Sequence, residues 1–178
     1  MYRVGVVPIE GFALMSYASV VEPLRAANLL HEKPLYEVIN ITFLPEGVFS
    51  SSGTLVNSDK IVGEVIKLDI VFLVAGGDPF LISDKRLFNW LHRLAKFGTV
   101  IGGVSGGPVV LVKAGLMNDR RMTVHWEHAE GLSEISSDIL LERSLYVIDR
   151  DRITCAGGTA PIDMMLAVIS ARQGTVFA

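Results

Sequence analysis

The sequence is short of most features that would settle a function at sight. A single cysteine, Cys155, excludes an internal disulfide framework and suits a reducing compartment. Lys and Arg number 16 against 19 Asp and Glu, a net charge of -3, so no basic surface is offered to nucleic acid or to acidic membranes. Any contact with DNA would have to come from elsewhere. No apolar run approaches the roughly 20 residues of a membrane span. The opening MYRVGVVPIEGF has an apolar part too short for a secretory leader, and a cytoplasmic protein without membrane contact is expected. Neither a metal nor a cofactor is expected.

What is present points to one packed domain. Half of the 178 residues are hydrophobic and a fifth are charged, which suits a single domain over residues 1–178 with a substantial core. Short apolar runs at 2–9, 36–44, 69–75 and 99–104 read as strands. Segments 16–30, 84–97, 126–135 and 159–172 carry helical spacing, with Pro23 expected to kink the first. Serines and Gly53 mark a hairpin tip near 49–54, and 145–148 with 152–155 flank a second hairpin through a solvated turn of charged residues, 149–152. Strands alternating with helices predict a three-layer, flavodoxin-like α/β sandwich with a mostly parallel sheet.

The stretch TVIGGVSGGPVVLVKAGLMNDRRMTVHWE, residues 99–127, organises the rest. Gly102, Gly103, Gly106 and Gly107 bracket Ser105, and Pro108 fits the first turn of a following helix. Ser105 is therefore predicted on a sharp strand-to-helix corner, and Gly103-Val104-Ser105-Gly106-Gly107 matches the G-x-S-x-G nucleophile elbow. His125 and Trp126 follow as a titratable and aromatic pair able to face the same corner. Gly76-Gly77-Asp78 ends the third strand, where backbone N–H groups of an open α/β sheet approach a ligand. Trp90 is expected in packing, Cys155 as a small buried side chain, and Asp163 as a favourable charge at a helix start.

GGVSGGPVVLVKAGLMNDRRMTVHWEH, preceded by VFLVAGGDP and followed by DRITCAGGTAPIDMMLAVI, resembles the amidotransferase-like N-terminal domain of a branch of AraC-family transcription regulators. That domain belongs to the class I glutamine amidotransferase-like superfamily, with PfpI-type proteases and related hydratases. The enzymes carry a cysteine at the elbow, a later histidine and an acid in the first helix region. Ser105 falls on the cysteine position, His125 on the histidine, and Ser16 near the acid position, with Glu10 and Glu22 displaced on either side. A serine needs a well-oriented base where a cysteine at a helix start gains thiolate character unaided. The resemblance thus implies a non-catalytic domain that binds a small effector and forms a homodimer, with DNA read by a C-terminal helix-turn-helix domain not in this chain.

Within that branch the wording is most like regulators of carnitine and glycine betaine catabolism, with regulators of arginine use also similar. A zwitterion would set its carboxylate on Gly106 and the elbow, with Ser105, His125, Gly76, Gly77 and Asp78 around it. Its cationic head would meet Trp126 or Phe12. The rival reading is a PfpI-like hydrolase or hydratase using Ser105 and His125. An α/β-hydrolase orders its triad Ser, acid, His, which here leaves only Asp119 as the acid.

Overall fold

The structure is a computed structural model and describes residues 1–136 and 138–178. Its strands are β1 (Tyr2–Pro8), β2 (Tyr36–Thr42), β3 (Val48–Phe49), β4 (Leu55–Val56), β5 (Lys60–Ile61), β6 (Ile70–Ala75), β7 (Val100–Ser105), β8 (Arg121–Met122), β9 (Leu140–Leu141), β10 (Tyr146–Asp149) and β11 (Arg152–Cys155). The helices are α1 (Leu14–Leu30), α2 (Lys85–Lys96), α3 (Gly107–Lys113), α4 (Ala129–Ile135) and α5 (Ala160–Gln173). A seven-stranded sheet runs in the order β10-β11-β7-β6-β1-β2-β5, and every pairing in it is parallel except β10 with β11.

The three layers follow from the period of two along central strands. In β6 the side chains of Ile70, Phe72 and Val74 enter one core with Val20 and Leu24 of α1 and Met164 and Val168 of α5. The alternate residues Val71, Leu73 and Ala75 enter a second core with Leu87, Trp90 and Leu91 of α2 and Val109 and Val110 of α3. Burial on both faces explains why the strand reads as an unbroken apolar run.

Local signals position α2 well. Asp84 accepts the Leu87 N–H at 3.0 Å, the apolar residues recur at 87, 90, 91 and 94, and Gly98 with φ +84° ends the helix. Trp90 is packed as expected, its indole N–H donating to the Glu64 carbonyl at 2.9 Å. Cys155 has no exposed surface, and burial pushes its thiol up to about 11. Asp163 lies exposed in the first turn of α5.

Pro23 lies inside helix α1, as expected, where packing of Val20, Leu24 and Ala27 holds the helix on the sheet although the proline lacks an N–H. Two expectations need correction. Segment 126–135 is two elements, a 3-10 turn Trp126–His128 and then α4. The charged run 149–152 is no solvated turn at its end. Arg152 is buried, its Nε donating to the Leu116 carbonyl at 2.8 Å and its Nη1 to Asp151 at 2.8 Å, because pairing of β11 with β7 carries it inward.

Candidate functional site

The carboxyl ends of β6 and β7 meet at one crevice, as an open α/β sheet requires of a ligand site. Ser105 ends β7 with φ +61°, a left-handed conformation that costs a non-glycine residue on the order of 1–3 kcal/mol. The corner predicted from the glycines is therefore present, and the strained residue is the serine itself. Close approach of α3 to the sheet is what demands a glycine at 107: a Cβ there would fall 2.2 Å from the Leu73 carbonyl oxygen.

Around Ser105 the structure is tight. Only 8% of it is exposed. A Cβ on Gly157 would stand 2.7 Å from the Ser105 Cβ and 3.0 Å from its Oγ, so the loop after β11 closes over the hydroxyl. The Gly106 N–H donates to the Ala75 carbonyl at 3.0 Å, and the His125 N–H to the Ser105 carbonyl at 3.2 Å. Backbone N–H groups that a carboxylate would use are thus partly spent on holding the elbow together.

Ser16, near which the resemblance puts the superfamily's acid position, is fully buried and accepts the Gly158 N–H at 2.9 Å. That bond ties the start of α1 to the loop covering Ser105. Glu10 and Glu22 are both exposed; Glu10 accepts the Phe49 N–H at 3.3 Å, and Glu22 pairs with Arg25 at 2.7 Å. Asp119 lies exposed in a turn with φ +55°, its carbonyl taken by Arg150. None of these carboxylates makes a hydrogen bond with His125 among the described residues.

His125 lies beside the elbow. Its Nδ1 is buried and lies 3.4 Å from a Glu127 carboxylate oxygen without hydrogen-bond geometry. Its ring meets Trp126 at 5.6 Å and His128 at 5.9 Å between centroids. His128 was not singled out by the sequence, yet it is the buried member of this pair and stacks edge-on against Phe80 at 6.0 Å. Burial first, and the neighbouring His125 second, hold its imidazole below the usual range, against the opposing pull of Glu127 and Asp78.

Of the Gly76-Gly77-Asp78 loop, Gly77 and Asp78 are exposed; the Asp78 carboxylate caps the next turn by accepting the Phe80 N–H at 3.0 Å. Phe12 does not join the open site. It has no exposed surface and packs at 5.5 Å against the Tyr17 ring, a wall behind the crevice with no face for a ligand. Trp126 is the opposite case, 77% exposed, and it forms the rim of a cleft of about 920 Å³. That cleft lies between α4, the β9–β10 connection and residues 123–124, next to His125 and away from the Ser105 hydroxyl.

A glycine-packed elbow with a left-handed residue at its corner, on this seven-stranded sheet, defines the class: the chain belongs to the DJ-1/PfpI family, which it matches over residues 3–171. Its relatives sharpen the comparison. It is 44% identical over 177 residues to HTH-type transcriptional regulator GlxA of Rhizobium meliloti (strain 1021), covering 99% of this chain and 55% of that protein. With HTH-type transcriptional regulator CdhR of Pseudomonas aeruginosa it shares 40% over 166 residues, 93% of this chain and 49% of that protein. The chain spans about half the length of these regulators, and it is a DJ-1/PfpI domain matching N-terminal regions of AraC-family HTH regulators. The crystal structure of an AraC family transcriptional regulator from Pseudomonas putida shares the fold, with a TM-score of 0.87 at 24% identity over 99% of this chain and 95% of that one. A weaker match, 27% over 122 residues, covering 68% of this chain and 53% of that protein, is to isonitrile hydratase of Pseudomonas putida, so enzymes also lie among the relatives. No helix among the described residues is long and apolar enough to cross a membrane.

Proposed function

We propose that this chain is the effector-binding and dimerising part of an AraC-type transcription regulator of the cytoplasm, and that it is not an enzyme. The observation that carries the reading is the elbow with its reactive groups replaced. Ser105 holds the strained corner, and Ser16, near the position expected for an acid, is spent on accepting the Gly158 N–H. The architecture of a nucleophile site is kept without a base relay. Strong similarity to HTH-type regulators over nearly the whole chain supports the same reading.

The effector is a small molecule, and a zwitterion such as glycine betaine, carnitine or arginine is the favoured class. Contact with DNA belongs to a helix-turn-helix domain outside this chain. Dimerisation is supported by apolar side chains left exposed on α1 and α5, namely Met15, Ile162 and Leu166. Sedimentation at micromolar concentration tests that part, and a strictly monomeric chain would remove it.

The strain at Ser105 also favours a second reading, a hydrolase or hydratase using Ser105 and His125. A thermal-shift screen of the chain against zwitterions, run beside a turnover assay, separates the two. A bound effector at about 100 times its dissociation constant adds about 2.7 kcal/mol, or roughly 5–10 °C for a domain of this size. Substrate turnover abolished by Ser105→Ala would establish the enzyme instead.

A further inference from the structure

We propose that the cleft beside Trp126, and not the crevice at Ser105, is where a small zwitterion binds, with its carboxylate on Arg143 and its ammonium or guanidinium head between the Trp126 indole and Glu130. The inference rests on the reading of the domain as a small-molecule sensor and gives that reading a site. The cleft is open on one side and, at about 920 Å³, has room for a small ligand together with water. Its lining mixes apolar surface, including Leu141 and Leu145, with charged groups from α4 and from the connection between β9 and β10.

The state of those charges decides the ligand class. Glu142 is engaged by Arg121 at 3.3 Å, and the Thr123 hydroxyl donates to the Ser144 carbonyl at 2.8 Å, so these polar groups are spent. Glu130 and Arg143 line the same cleft, both exposed to water, and among the described residues neither makes an ion pair or hydrogen bond. A simple anion would meet Glu130 unpaired, and a simple cation would meet Arg143. A molecule carrying both charges satisfies both. The indole, mostly in water in the free chain, offers the ring face that an ammonium or guanidinium prefers.

The crevice offers less. Ser105 is closed over by Gly157, the Gly106 N–H is already bonded, and Phe12 is inaccessible. The pairing of His125 with Trp126 at 5.6 Å connects the cleft to the elbow, so a ligand on the indole is felt at His125, whose N–H holds the Ser105 carbonyl.

Calorimetric titration of the 178-residue chain with glycine betaine, L-carnitine and L-arginine tests the assignment, with choline and acetate as single-charge halves. At least one zwitterion is expected to bind at millimolar concentration or better, both halves at least tenfold more weakly. Arg143→Gln, Glu130→Gln and Trp126→Ala should each weaken it at least tenfold, Arg143→Lys should recover part of the loss, and Ser105→Ala should leave affinity within twofold. Near-ultraviolet circular dichroism establishes that each variant keeps its fold. The inference is overturned if no zwitterion binds at 10 mM, if choline or acetate binds as well as the zwitterion, or if affinity falls with Ser105→Ala while the Arg143 and Glu130 variants bind normally. Failure of the underlying reading has a different signature: zwitterion binding lost in the cleft variants, but with no effect on transcription by the longer regulator, removes the sensor role and leaves the site. Regulation by a metabolite that persists in the cleft variants removes the site and leaves the sensor.

Discussion

The elbow and the cleft lie on either side of His125 and are built by opposite rules. The elbow is made of backbone: glycines without room for a methyl group, a serine held at φ +61°, and N–H groups already bonded to neighbouring strands and loops. The cleft is made of side chains, with the exposed Trp126 indole, the apolar Leu141 and Leu145, and Glu130 and Arg143, which make no ion pair or hydrogen bond among the described residues. A packed backbone fixes geometry but leaves little to recognise a new ligand. Exposed side chains on a firm frame can change their specificity without disturbing the fold. On the site proposed above, the elbow serves as a frame and the effector is sensed beside it.

The largest expected effect breaks that frame. In Gly107→Ala the new methyl group must displace the Leu73 carbonyl or lift α3 from the sheet, and a loss of about 3 kcal/mol is expected in urea denaturation. A loss under about 0.5 kcal/mol would mean that helix and sheet are not in close contact there. Next comes Ser16→Ala, which leaves the Gly158 N–H without its acceptor in a partly buried position and should cost about 1–2 kcal/mol. The loop over Ser105 should then exchange its amide hydrogens faster, and unchanged exchange would argue that Ser16 does not hold it.

These two regions were not equally legible in the sequence. The corner at Ser105 could be read because its determinants are consecutive: a β-branched strand, paired glycines and Pro108 specify a turn within a few residues. The same holds for α2, whose cap, stripe and stop are all local. The cleft could not be read so. Glu130 and Arg143 come from separate elements, and their lack of partners depends on which neighbours, such as Arg121 with Glu142, have already paired. Phe12 and Trp126 were interchangeable as aromatic candidates in sequence, yet one is sealed in the core and the other stands in water. Arg152 looked like part of a charged turn until the register of β11 on β7 drew it inward.

Titration of His128 sharpens the contrast from the other side, since this ring is packed against Phe80 and faces His125, Glu127 and Asp78. A depressed folded value means that the unfolded chain takes up the proton first. Its contribution should be full above the ordinary histidine value of about 6.5, and be lost as pH falls from there through the folded value. The melting temperature should drop over that interval, and His128→Phe should flatten the part of the drop due to this ring. A profile unaltered by His128→Phe would place the pH sensitivity in the other groups.

The smallest expected effect on stability is at Trp126. With most of its surface in water, the indole contributes little to the core, and Trp126→Ala should change unfolding free energy by no more than about 0.5 kcal/mol. The same substitution should weaken a zwitterion at least tenfold, so affinity and stability would separate at one residue. They need not. Trp126 tilts against His125, and the His125 N–H holds the Ser105 carbonyl, so the indole is also placed to prop the elbow. A loss above about 1.5 kcal/mol in Trp126→Ala, at the scale of a deleted buried contact, would show that it is. Cleft and elbow would then form one unit, with the ligand acting on the frame directly through the residue that binds it.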